Sequence, residues 1–482
     1  MIRHIIPTPK EIQMKEGSCF VPFSVTTGYE PWKKFVNTLA ESAAKIFDLD
    51  PCALPNDREG IVLSYDPDLK KDSYRITAED SLVVSASTDG GMAHGIATAL
   101  MMLERDENGL RCERAVIEDY ADKPFRTLML DLARKWHPLD KVLHMIDLAF
   151  FLKLSYVHLH LIDNQACRIP SARFPKLAHH DSYSYEEIAT MREYAAARGV
   201  ELIPEFDIPG HARQLVKHYP EVFANSLEDH GESGAILSET GERIQTDDII
   251  CAGSKVCFDA ICKLFSELVS LFPESHYIHI GGDEAYIKVW DHCPCCREYM
   301  KEKGISDRYE LYSEYVSRVA SHVLSLGRTP IVWEGFPQKG ACRIPKETVV
   351  IAWETHYHMP QDLLKEGFRI INGSWKPLYV VRNYLHWSQK EVYDWDPHSW
   401  YHWWDQSEAY LNPIHLEPRD DVLGAQLSLW EGTYDQEICP AMENAAALSE
   451  RTWNVHRVKD YDLFHRMAAK SLDKLALLIC DR

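Results

Sequence analysis

Two textures of hydrophobic and polar patterning divide the chain. Up to residue 118, short alternating runs (IVLSYD at 61–66, SYRITAE at 73–79, SLVVSAS at 81–87) are separated by polar turns. They lead through Gly90-Gly91 into an apolar, helix-like stretch, GMAHGIATALMMLE at 91–104. Alternation at period two reads as half-buried strands, so residues 1–118 are expected to form a small α+β domain with an antiparallel sheet and a packed helix. DYADKP at 119–124 marks the boundary.

From 124 to 482 the rhythm changes. Strand-like runs fall at 126–132, 156–162, 200–207, 277–284, 329–335, 348–354, 368–373 and 422–431. Between most of them lie amphipathic stretches such as LDKVLHMIDLAFFLKL at 139–154. Eight such β-then-α units predict a (β/α)8 barrel, with the longer gaps after the third and seventh runs as loop insertions. The runs end in polar and aromatic residues: Asp131 and Arg134, Asp163, Asp207 and His211, Asp283 and Glu284, Trp333 and Glu334, Trp353 and Glu354, Trp430 and Glu431. Strand ends of a barrel converge on one mouth, so these residues describe one pocket.

Composition changes the picture only by exclusion. With 45% apolar and 26% charged residues the chain is an ordinary globular protein. A net charge of -21 disfavours nucleic acid and anionic membranes. MIRHIIPTPK at the start lacks the apolar core of a secretory signal, and no run of about 18 apolar residues occurs. Together with 13 cysteines in no small-domain spacing, this predicts a cytoplasmic protein with no membrane partner; a homodimer is compatible with it. The group His292, Cys293, Cys295, Cys296 has metal-ligand spacing, but no second knuckle appears elsewhere, so plain thiols at a helix start are expected.

The chemistry sits in three motifs. In HIGGDEA (279–285) two glycines let the strand end pass close to a ligand before two adjacent carboxylates. Neighbours on an extended strand point different ways, so they need not be the facing pair of an ordinary glycosidase. Glu284 is assigned as general acid and Asp283 is given another partner. In EFDIPGHA (205–212), Asp207 and His211 flank a tight turn and are expected to form a carboxylate–imidazole dyad, with Asp163 of HLIDNQ in reach of the same histidine. Trp333, Trp353 and Trp430 at strand ends supply walls for the apolar faces of a sugar. Trp400, Trp403 and Trp404 are left outside the site.

These motifs resemble glycoside hydrolase family 20, the β-N-acetylhexosaminidases, from the small N-terminal domain through the whole barrel. RTLMLDLARKW is similar to the family's first strand, HLIDNQ, PEFDIPGHA and HIGGDEA follow in family order, and NAAALSERTWN (444–454) resembles its C-terminal helix. The resemblance implies a retaining exo-glycosidase that releases terminal β-linked GlcNAc or GalNAc from a small glycan or glycoconjugate. The substrate's own 2-acetamido oxygen would attack the anomeric carbon to give an oxazolinium. Asp283 would orient the acetamido N–H, Tyr379 would support it, Glu284 would protonate the leaving oxygen, and Arg134 would grip the sugar hydroxyls. No cofactor and no metal are implied.

Three positions depart from the family pattern. Val381 stands where an Asp is expected to hold the 6-hydroxyl. Glu431 directly follows Trp430, leaving Gly432 where the family places the Glu for the 4-hydroxyl. Cys167 replaces the usual tryptophan of the second motif. The substitutions touch sugar preference rather than reaction, leaving a GalNAc-selective or lacto-N-biosidase-like member as alternatives. Two rivals remain. A non-catalytic sugar-binding barrel would lack one of the two acids, and both are present. A metal-dependent hydrolase could use HLH at 158–160, although no further histidine is evident at later strand ends.

Overall fold

The computed structural model describes residues 4–49, 60–107, 109–227, 235–237, 243–382 and 385–480. Eight parallel strands form the barrel: β1 (Phe125–Asp131), β2 (Tyr156–His160), β3 (Glu201–Glu205), β4 (Tyr277–His279), β5 (Thr329–Trp333), β6 (Val349–Ala352), β7 (Arg369–Asn372) and β8 (Val422–Trp430). Each pairs with the next, β8 pairs with both β1 and β7, and the sheet is thereby closed. β1 and β8 are buried at every position, which is why they read as near-continuous apolar runs. Closure brings β8 hard against β1: a Cβ on Gly424 would stand 1.8 Å from the Phe125 carbonyl oxygen, so only glycine fits.

The interior is filled in layers. Phe125 and Tyr156 stack at 4.3 Å at the N-terminal end of the strands, with Tyr277 edge-on. Met129, Ile203, Ile331, Ile351 and Ile371 lie in the same interior cluster, and Trp333, Trp353, Tyr379 and Trp430 close it at the opposite mouth. The expected insertions are present. The segment after β3 carries a short hairpin (Ala235–Leu237 with Arg243–Gln245) and the helix Lys255–Leu271. The segment after β7 carries a further strand, Tyr379–Val381, which pairs in parallel with β8.

The N-terminal sheet has the strand order Glu11–Val21, Gly109–Asp119, Tyr74–Ala78, Leu82–Ala86, Ile61–Tyr65, Val25–Thr27. It is mostly antiparallel, but the last two pairings are parallel. Two helices pack against it, not one. The expected helix spans Asp89–Met102, capped by the Thr88 side chain, and a second, Lys33–Phe47, buries Phe35, Leu39, Ala43 and Ile46 at helical spacing. The C-terminal helix Tyr461–Leu478 also leans on this part, where the buried Lys474 Nζ donates to the carbonyls of Leu100, Met101 and Leu103. Among the described residues no helix is long and apolar enough to cross a membrane.

Candidate active site

The end of β4 sets the geometry. Gly281 and Gly282 have φ of +73° and +93°, and Glu284 follows at +44°. A Cβ on Gly281 would fall 1.7 Å from Asp207 Oδ1, and that oxygen accepts the Gly282 N–H at 3.1 Å. From the other side the Tyr312 hydroxyl donates to the Gly282 carbonyl at 2.6 Å. This clamp holds a left-handed backbone that Glu284 would otherwise avoid. It separates the two acids: the Asp283 side chain is 10% exposed and that of Glu284 55%.

His211, itself at φ +50°, stands beneath both acids. Its Nε2 lies 3.6 Å from Asp283 and 3.7 Å from Glu284, and its Nδ1 is 3.2 Å from Asp163 Oδ1. The dyad expected between Asp207 and His211 therefore forms with Asp163 instead, because Asp207 is turned to the backbone of the β4 end. Burial opposes the imidazolium, yet Asp283, Asp207 and Asp163 outweigh it and hold His211 well above the usual histidine value. Glu284 is raised from the ordinary glutamate value by loss of solvent first and by the Asp283 charge second, with His211 and Arg134 pulling the other way. A raised carboxyl beside a fixed cation is a proton donor in waiting.

Arg134 bridges to Asp163 at 2.7 Å and lies 3.7 Å from Asp131, with its guanidinium 4.8 Å from the Trp430 ring centre. Asp131 also accepts the backbone N–H of Glu431, tying β1 to the end of β8. Below this layer lies a buried group that has no role in the sequence reading. Glu205 accepts from His160 and from Trp333 Nε1 at 2.7 Å, and stands 3.0 Å from His279 Nδ1 and 3.2 Å from His158. His279 thus does join the HLH pair from a later strand, contrary to the expectation of an isolated pair. Glu205 with His158 and His279 is close enough to surround a cation. Burial would raise the Glu205 carboxyl, but His160, His279 and His158 hold it well below the usual range.

A pocket of about 180 Å³ opens above these residues. Asp283, Glu284 and Arg134 form one side, and Trp333, Trp353, Tyr379 and Trp430 form the walls. One wall was missed: Trp375, stacked on Tyr379 at 4.2 Å. Its signal was an aromatic four positions ahead of Tyr379 on a short turn. Not every strand-end acid faces the pocket. Glu334 is fully buried and accepts the backbone N–H groups of 354–358, so it shapes the loop after β6. Trp400 is buried with its indole N–H on the Ala352 carbonyl, whereas Trp403 is 47% exposed.

The departures are explained locally. At Gly432 a Cβ would meet Glu437 at 2.5 Å, and the Gly432 N–H binds that buried carboxyl at 2.9 Å, so no side chain reaches the pocket from there. Glu431, at φ +60°, lines the pocket in its place, held by Arg382 at 2.8 Å. Val381 lines the same side.

Comparison with known proteins agrees with this architecture. The family model for the catalytic domain of glycosyl hydrolase family 20 matches residues 124–456, and that for domain 2 of the family matches 3–120. A β-hexosaminidase of Vibrio furnissii is 28% identical over 458 residues, 88% of this chain and 72% of that one. One from Akkermansia muciniphila is 26% identical, over 84% of this chain and 83% of its own. The crystal structure of an exo β-N-acetylglucosaminidase from Vibrio harveyi superposes with a TM-score of 0.82 at 23% identity, covering 99% of this chain and 78% of that one, a likeness of fold. With both family domains matched in order along nearly its whole length, the chain belongs to glycosyl hydrolase family 20 and is a glycoside hydrolase.

Proposed function

We propose that this hydrolase removes terminal β-linked N-acetylhexosamine by substrate assistance, with the acetamido oxygen as nucleophile. The carrying observation is the unequal placement of two neighbouring acids: Asp283 sunk in the pocket and Glu284 at its open rim. A two-carboxylate retaining enzyme needs its acids facing each other across the anomeric carbon, about 5–5.5 Å apart. Neighbours sharing one histidine suit a different division. Asp283, beside the aromatic wall that includes Tyr379, accepts the acetamido N–H and aims its oxygen. Glu284 protonates the leaving oxygen, then takes a proton from the incoming water. Tyr379 is buried and its hydroxyl pushed well above its ordinary value, chiefly by burial, so it stays a hydrogen-bond donor to the acetamido oxygen. The relatives named β-hexosaminidase support this substrate class.

Sugar preference follows from the rim. With Glu431 in the pocket by way of a left-handed residue and Val381 beside it, the contacts to the 4- and 6-hydroxyls differ from the family pattern, and β-GalNAc is expected to be cleaved at least as well as β-GlcNAc. A panel of aryl β-glycosides tests both statements. GlcNAc and GalNAc substrates should turn over, and glucosides and galactosides lacking the acetamido group should be almost inert. Comparable turnover of a glucoside, or a glycosyl ester trapped on Asp283 or Glu284, would overturn substrate assistance. A gluco preference above about 100-fold, near 3 kcal/mol in the transition state, would overturn the sugar assignment alone.

A further inference from the structure

Three cysteines from two distant stretches meet beside the loop that carries the acids. Cys251 lies in the insertion after β3, while Cys293 and Cys296 open the helix Pro294–Lys303. The Cys251 sulfur is 3.6 Å from that of Cys293 and 3.6 Å from that of Cys296, and all three residues are buried. Their sulfurs fall within 4.8 Å of one another. Thiolates around a tetrahedral zinc, at about 2.3 Å from the metal, stand about 3.8 Å apart, close to this spacing. A disulfide would engage two of the sulfurs and leave the third crowded against the bond.

The backbone is shaped for the group. Cys293-Pro294-Cys295-Cys296 has the C-x2-C spacing of a zinc knuckle. On the facing side the Gly253 N–H points at the Cys296 sulfur at 3.4 Å. A Cβ on Gly253 would stand 2.6 Å from the Cys295 carbonyl oxygen and 2.6 Å from Cys296 Cα, so this turn approaches the knuckle only as glycine. Cys293 is the N-cap and Cys296 lies in the first turn, where the helix terminus favours thiolate. The expectation of plain thiols rested on a missing second knuckle. Cys251, alone in its stretch, could not be recognised as one before the fold placed it here.

We infer that Cys251, Cys293 and Cys296 hold a structural Zn²⁺ as three of its four ligands. Each thiol that ligates it releases its proton to solvent. The ion would tie the insertion after β3 to the segment that follows Glu284, two stretches already joined where Trp290 Nε1 donates to the Ile250 carbonyl at 3.0 Å. It takes no part in the hydrolysis.

The full chain, expressed with zinc in the medium and purified under reducing conditions, should carry one zinc by elemental analysis. Cobalt(II) exchanged into the wild type should show the sulfur charge-transfer and ligand-field absorption of a tetrahedral thiolate site. C251S and C296S should lose the metal, and C342S, at an exposed thiol elsewhere, should keep it. Stripping with a strong chelator should lower the melting temperature, and zinc alone should restore it. Wild-type protein that contains no metal and takes up neither zinc nor cobalt would overturn the inference, and so would a disulfide between Cys251 and Cys293 or Cys296 found by mass spectrometry. The cobalt spectrum is read on wild-type protein, so the test survives a variant that fails to fold.

Discussion

Glu284 must hold a proton before it can donate one, and its surroundings arrange this. Desolvation and Asp283 raise its carboxyl, while the His211 cation 3.7 Å away limits the rise. Activity should therefore fall as pH rises through a value above that of a free glutamate, because the acid form is being lost. Glu284→Gln should lose about 10²–10⁴-fold in kcat on a disaccharide with a poor leaving group, and the alkaline limb of the pH profile should vanish with it. Near-normal turnover by this variant would remove Glu284 from the role. His211→Ala gives the complementary test. Without the imidazolium, Glu284 loses the charge that lowers it, so the alkaline limb should move to higher pH even as turnover drops. A limb that stays put or moves down would show that His211 supports the site only sterically. Asp163 is held well below the usual carboxylate range: burial would raise it, but His211, His160 and Arg134 outweigh burial, so it stays anionic and keeps His211 charged.

At the scale of elements, the turn after β4 is where sequence and geometry are most tightly bound. Gly281→Ala would drive a methyl into Asp207 and push the chain away from it. A displacement of about 1 Å in a catalytic group can cost about 100-fold, so kcat should fall by that order while the barrel still folds, as circular dichroism and thermal melting would verify. An unchanged kcat would mean that the clamp does not position Asp283. This turn was legible because its residues are chemically conspicuous: two glycines, then two acids. The eight barrel strands were legible for a related reason, since strands buried on both faces must be apolar throughout. Other elements gave weaker signals. The helix Lys33–Phe47 carries an apolar stripe at helical spacing but lies ahead of the alternating runs that dominate this region, and the parallel pairing of Tyr379–Val381 with β8 depends on a long excursion that no local pattern encodes. Glu205, His158 and His279 were invisible as a group because each lies on a different strand and they meet only inside the closed barrel.

At the scale of the whole molecule, the N-terminal part is wired into the barrel by buried charge. The apolar core runs unbroken from its sheet and helices into the outer layer of the barrel. Within that core Lys153, at the entry to β2, donates from Nζ to the Tyr74 hydroxyl at 2.9 Å and lies 3.6 Å from Asp119, with both charged side chains fully buried. Trp453, from the last helix of the barrel, donates to the same Asp119 at 2.9 Å and lies 4.9 Å beneath the Lys153 ammonium. Three separate stretches thus share one ion pair. Lys153→Met should cost about 3 kcal/mol, the low end for removing one partner of a buried pair. The low end applies because Asp119 keeps four other donors, the Lys10 and Tyr120 N–H groups, the Tyr74 hydroxyl and the Trp453 indole. Burial lowers Lys153 to about 8 from 10.5, against the pull of Asp119. Between those two values the unfolded chain binds the proton and the folded chain does not, so stability from this residue rises with pH across that window. Denaturant titrations at pH 7 and pH 9.5 should then show the wild type gaining on the methionine variant at the higher pH. Calorimetry should give a single transition for the wild type and an earlier, separate unfolding of the N-terminal part in the variant. A variant that melts in one step at the wild-type temperature would show that apolar packing alone joins the two parts and that the ion pair is incidental.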